Sequence, residues 1–338
     1  MKILRMKKSY ILLILILLTL TFCSRKGNNT SNERIENDSI VVEETNEPIF
    51  TKDMVVIKKD LLYDKYTLDD QYPYKDTVRV FQWDKIKDCL FFIDSIQMHN
   101  HTWGIFRNYK NLNGEAALVR NFKRNVYKRV SDSLGIERYQ SVPLYLPNDT
   151  TIAERYGRDG SLVKFMKDTG SYIKVGTIYF KGEWLVPKRY FKAIDDSIIF
   201  KKVIVVDRTN QNISTFEKTD SAWLVRSMNP ATTGLHNPPY GQETPLGIFV
   251  VQEKKPKMIY LKDGTQETGG FAPNASRFTN GAYIHGVPVN APRTQTIEYS
   301  QTLGTTPRSH MCVRNATSHA KFIYDWAPVE ESLVFVIE

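Results

Sequence analysis

Cysteine is scarce in this chain of 338 residues: Cys23, Cys89 and Cys312 are its three thiols. They allow at most one disulfide, which excludes the stapled frameworks of small exported domains. Blocks of Lys and Arg interleaved with stacking aromatics are missing despite a formal net charge of +9, so nucleic acid is not expected as a partner. Long apolar runs are missing too: the N-terminal stretch Ile11 to Leu20, broken only by Thr19, is too short to span a bilayer comfortably. His99-Asn100-His101 lacks the partner Cys, His or acidic residues of a ligand set, so no metal site is expected. From Ser24 to about Glu47 large apolar side chains are nearly absent. Such a segment cannot bury enough surface to offset its ordering entropy, and is expected to be a flexible tether.

What is present starts at the N-terminus. Lys2, Arg5, Lys7 and Lys8 precede the apolar run, which makes residues 1–22 an export signal. Setting those four basic residues aside lowers the net charge to +5. The run ends at Leu20-Thr21-Phe22-Cys23, which resembles a bacterial lipoprotein signal, with Phe22 departing from the small residue usual there. The resemblance implies that Cys23 is acylated and anchors residues 23–49 at a membrane; an ordinary cleaved signal peptide is the alternative. Ser24-Arg25-Lys26-Gly27 contains no acidic residue, which favours an anchor facing the periplasm.

The remainder reads as mainly β with some α. Residues 50–140 form a mixed segment without a motif. Within it, Ile86, Leu90, Ile93 and Ile96 are spaced for an amphipathic helix over 83–97, and residues 122–134 are expected to be a second helix with a solvated basic face. In 141–194, short alternating runs beginning at Val142, Leu162, Ser171 and Glu183 are separated by Gly and Asp turns, the pattern of a small β-barrel. Gly182-Glu183-Trp184-Leu185-Val186-Pro187 with Tyr190 resembles a bacterial SH3-like domain; contact with peptidoglycan and simple packing are both open for it. From Phe200 onward, Val203 to Asp207 and Ile213 to Glu217 make a hairpin around Asn210-Gln211-Asn212. A strand follows Thr244-Pro245-Leu246-Gly247, and the chain ends in a helix over 318–326 and a strand over 332–337.

Two polar signals carry chemistry: Ile284-His285-Gly286 and Ser309-His310-Met311-Cys312-Val313-Arg314. A free thiol with a pKa of about 8.5 is only a few per cent ionised at neutral pH, and a neighbouring imidazole raises its thiolate fraction. His285 is therefore the candidate base for Cys312. If residues 310–312 are extended, His310 points the same way as the thiol, and Arg314 continues that face with a guanidinium suited to carboxylates. Cys89 sits in an apolar-rich stretch and reads as a buried structural thiol. If Cys23 is acylated, Cys89–Cys312 is the remaining possible bridge.

The order of hairpin, Thr244-Pro245-Leu246-Gly247-Ile248-Phe249, Ile284-His285-Gly286 and Ser309 to Arg314 resembles the YkuD-type L,D-transpeptidase catalytic domain over residues 200–338. The resemblance implies a β-rich catalytic domain with Cys312, His285 and His310 catalytic, and Arg314, Gly286, Ser309 and Tyr283 contacting substrate. Gly286 would hold the imidazole through its backbone. The donor implied is a peptidoglycan tetrapeptide stem, attacked by the thiol and passed to an amine in a 3→3 cross-link, without a cofactor. L,D-carboxypeptidation, transfer to an envelope protein and a non-catalytic wall-binding lipoprotein are the alternatives. Two departures stand out. Met311 occupies a position usually held by Gly, and residues 287–308 form a long insertion, a candidate lid or selecting loop.

Overall fold

The computed structural model describes residues 50–98 and 102–338. The export signal, Cys23, the tether and His99-Asn100-His101 lie outside the described residues. The described residues fall in one unit, built mainly of strands with two α-helices among them, α1 (Trp83–Gln97) and α2 (Thr317–Trp326). No helix among the described residues is long and apolar enough to cross a membrane.

The centre is a six-stranded sheet, in the order 57–59, 223–230, 212–218, 202–207, 332–337, 247–250. Its hairpin joins Lys202–Asp207 to Asn212–Lys218, as expected. The turn closes because Asp207 Oδ1 accepts the N–H groups of Thr209 and Asn210, at 2.8 and 2.9 Å. The run Val203 to Val206 shows why this strand is apolar on both sides. Val203 and Val205 pack into one core with Ile86, Leu90 and Ile93 of α1, while Ile204 and Val206 pack into another with Ile323 and Trp326 of α2. A sheet covered on both faces needs apolar residues at every position. Leu90 and Ile93 are fully buried, and each such side chain contributes ~1.5–3 kcal/mol relative to exposure.

Against the α2 side of this sheet lies a second one, in the order Glu253–Leu261, Thr268–Thr279, Ala282–His285, Val313–Arg314. A third sheet of five strands contains the expected strands 162–168, 172–177 and 183–187, and adds Trp103–Phe106 and Phe191–Ala193. It therefore takes one strand from ahead of residue 141. The helix expected over 122–134 is not formed. Lys123–Arg124 and Val130–Ser131 pair as a hairpin instead. Asn125 Oδ1 accepts the N–H groups of Tyr127 and Arg129, both at 3.0 Å, and Lys128 turns the chain with φ +61°. A side chain that captures backbone donors in this way competes directly with helix formation. The insertion 287–308 is also pinned. Val287, Leu303 and Ala316 form a small core with Tyr66, Ile297 and Tyr299 packed on it.

Candidate active site

A parallel strand pairing brings Cys312 and His285 together. Ala282–His285 runs beside Val313–Arg314, with Ile284 opposite Val313 and His285 opposite Arg314. Paired residues share a face of the sheet and neighbours alternate. Ile284 and Val313 point into the core, where both are buried. Tyr283, His285, Arg314 and Cys312, which immediately precedes its strand, all line a cleft of about 1000 Å³ on the other face. Cys312 is half-buried at that cleft, whereas Cys89 is buried and burial pushes its thiol up to about 12.

His285 is buried, and its Nδ1 lies 2.6 Å from the carbonyl oxygen of Gly286. A carbonyl only accepts, so Nδ1 carries the proton and Nε2 keeps a free lone pair. Burial pushes the imidazole down to about 4, opposed by the Gly286 carbonyl and reinforced by the Arg314 charge. The ring is thus a neutral base at pH 7. Burial pushes the Cys312 thiol up, while the backbone N–H of Tyr283 and the guanidinium of Arg314 favour its thiolate.

The orienting group for His285 depends on Gly286. A Cβ there would meet Thr317 Oγ1 at 2.7 Å and Pro273 Cγ at 2.9 Å, so a side chain would displace the carbonyl that fixes the ring. Gly286 thus acts on the imidazole and does not line the cleft. Ser309 is buried at the cleft edge and its hydroxyl donates to the Cys312 carbonyl, closing the nucleophile loop. The premise that placed His310 beside the thiol does not hold, because the strand begins only at Val313. His310 lines the cleft, but its exposed ring pairs with Asp263 at 3.1 Å.

Met311 has φ +151°, a region that L side chains rarely adopt. Its side chain packs against the core under α2, and its carbonyl accepts a 2.8 Å bond from the Thr244 hydroxyl. The same hydroxyl accepts the Gly234 N–H at 2.8 Å. Two core-anchored contacts therefore hold the strained residue next to the nucleophile. In the sequence, Thr244 stands out only as part of the turn Thr244-Pro245-Leu246-Gly247.

A polar network that sequence reasoning missed entirely backs Tyr283. Its hydroxyl lies 3.1 Å from Glu253 Oε2, from Lys255 Nζ and from the hydroxyl of Tyr109. Arg277 joins Glu253 at 3.2 Å to the buried Asp159 at 2.6 Å. Asp159 lies 118 residues from Arg277 in sequence, and no local pattern announces the pair. Among the described residues, no group of three or more His, Cys, Asp and Glu is placed to hold a metal ion.

Cys312 and a neutral, carbonyl-oriented imidazole thus line one cleft, on one face of a β-sheet. Residues 201–336 match the family model of YkuD, the L,D-transpeptidase catalytic domain. No curated protein matches the chain. Among solved structures, an L,D-transpeptidase from Mycobacterium smegmatis is 18% identical, over 51% of this chain and 80% of that one, with a TM-score of 0.33. An L,D-transpeptidase from Mycobacterium tuberculosis is 16% identical, over 67% and 94%, with a TM-score of 0.32. A fused Zn-dependent amidase/peptidase/peptidoglycan-binding domain-containing protein from Clostridium acetobutylicum is 22% identical over 41% of this chain, with a TM-score of 0.31. The match spans about half of that protein, 52% of its length. Likeness of this extent carries no residue roles with it.

Proposed function

We propose that this protein is an L,D-transpeptidase that cross-links peptidoglycan through an acyl-enzyme on Cys312. The observation that carries the reading is the shared cleft face of Cys312 and His285, within the YkuD match. His285 Nε2 takes the thiol proton as sulfur attacks the carbonyl of the third stem residue. The C–N bond to the terminal D-Ala then breaks, and the imidazolium returns the proton to the leaving amine. The resulting thioester is attacked by an amine of a neighbouring stem, whose proton passes to Nε2, and a 3→3 link forms as the thiol is restored. Arg314 and Tyr283 contact the donor, and His310 stands at the cleft mouth. An acylated Cys23 with the tether that follows would hold the domain at the periplasmic face of a membrane, within reach of the wall.

The test incubates purified protein with tetrapeptide muropeptides and reads product masses. Wild type is expected to give cross-linked dimers and Cys312→Ala none. Unchanged dimer formation by Cys312→Ala overturns the assignment. Trimmed monomers without dimers from wild type replace it with L,D-carboxypeptidation.

A further inference from the structure

The wall of the cleft is not made by the YkuD-type domain alone. Tyr109 and Lys110, more than 90 positions ahead of the matched residues, line the same cleft as Cys312. Their loop adopts an unusual conformation: Lys110 and Asn111 are consecutive left-handed residues, with φ +51° and +56°, and neither is Gly. Such a conformation persists only where surrounding contacts over-determine it. Here they do. The Asn108 N–H donates to Asp159 Oδ1 at 2.7 Å, the Lys110 N–H to Gln140 Oε1 at 3.0 Å, and Asn111 Oδ1 accepts the Gln140 N–H at 2.8 Å. The Tyr109 hydroxyl then reaches across to Tyr283 at 3.1 Å, beside the nucleophile.

Charge says what this loop is held there to meet. Lys255 and Lys262 line the cleft but are matched by Glu253 and Glu267. Lys110, Lys257 and Arg314 also line it, and none has a carboxylate partner among the described residues. The Nε of Arg314 is buried with no hydrogen-bond partner. Asp263 is the cleft's one acidic lining residue, and it faces His310. A cleft whose lining cations outnumber its carboxylates favours an anionic ligand.

We propose that the loop 108–114 is a substrate-reading element of the active site, in which Lys110, with Lys257 and Arg314, binds free carboxylates of an acidic peptide stem. The proposal rests on the acyl-transfer reading for its placement next to Cys312. It adds that the donor must carry unblocked carboxylates, and that a segment outside the catalytic domain recognises them.

The experiment compares a stem tetrapeptide with its side-chain and branch carboxylates free against the same peptide amidated at those positions. Binding is measured by calorimetry to the full chain carrying Cys312→Ala, and again with Lys110→Gln or Lys110→Arg added. Lys110 is exposed, so these variants are expected to fold. The acid peptide should bind at least about tenfold tighter than the amide, and Lys110→Gln should weaken the acid peptide by about fivefold to tenfold. The amide should change less than about twofold, and Lys110→Arg should restore binding. Equal affinity for the two peptides, or an equal loss on both with Lys110→Gln, overturns the proposal. Failure of acyl transfer itself is read separately, as the absence of a peptide thioester on wild-type Cys312, so the two ideas fall independently.

Discussion

Replacing Thr244 with Val probes how the nucleophile loop is held. The Thr244 side chain is fully buried, and its hydroxyl accepts from Gly234 N–H and donates to Met311 O, both at 2.8 Å. Valine keeps the shape and removes both bonds. The Gly234 N–H and the Met311 carbonyl are then left without these partners. A Cβ on Gly234 would already meet Thr244 N at 2.8 Å and Met311 Cα at 2.8 Å, which measures how closely these backbones approach. At ~1–3 kcal/mol for each unsatisfied buried group, Thr244→Val should cost about 2–6 kcal/mol. Thr244→Ser keeps the hydroxyl and loses one methyl, for about 1 kcal/mol. Urea unfolding of wild type and both variants gives the two differences. The rate at which a thiol acylating agent labels Cys312 reports on the loop, and should fall for Val and stay near wild type for Ser. A valine variant within about 0.5 kcal/mol of wild type, with unchanged labelling, would refute this account of how the loop is held.

Two further outcomes follow from the same site. At Met311, where φ is +151°, Gly should be more stable than Ala by about 1–3 kcal/mol in urea unfolding, because both lose the packing and only Ala keeps the strain. Ala equal to or better than Gly there would mean that the backbone is not strained. His285, pushed down to about 4 by burial, remains a neutral base well below pH 6.5, so Cys312 acylation should lose its base only as pH falls through about 4. The unfolded chain binds a proton at about pH 6.5 that the native ring refuses, so this group's contribution to stability is complete above that pH and declines between about 6.5 and 4. An acid limb of the acylation rate centred near pH 6.5, in protein still folded by circular dichroism, would contradict a desolvated imidazole.

The elements that the sequence announced are those whose signal is local. α1 falls on residues 83–97 because its apolar spacing matches a helix that packs one stripe on a sheet. The hairpin after Phe200 is formed as expected, since Asp207 supplies its own turn bonds. The expectation for 122–134 failed for an equally local reason: Asn125 captures two backbone donors, and basic spacing alone cannot outweigh that. His310 lines the cleft, but not through the strand alternation expected over 310–312, because Met311 has a positive φ and the strand begins only at Val313. The network through Tyr109, Glu253, Arg277 and Asp159 left no trace in the sequence, because each member is an ordinary polar residue until the sheets meet.

By itself the sequence determined the chemical groups: one thiol with polar neighbours, an Ile-His-Gly signal, and Met311 where backbone freedom was in question. It also set the order of strands and helices around them, since both follow from side-chain identity and short-range periodicity. The tertiary structure alone decided that Cys312 and His285 share a face, because a parallel register between distant strands is fixed by core packing on their opposite side. It decided as well that the imidazole is neutral, that Thr244 and Gly234 hold the loop, and that Tyr109 and Lys110 enter the cleft. Burial, unsatisfied charge and long-range contact are properties of the assembled fold, and they exist only once the chain has closed on itself.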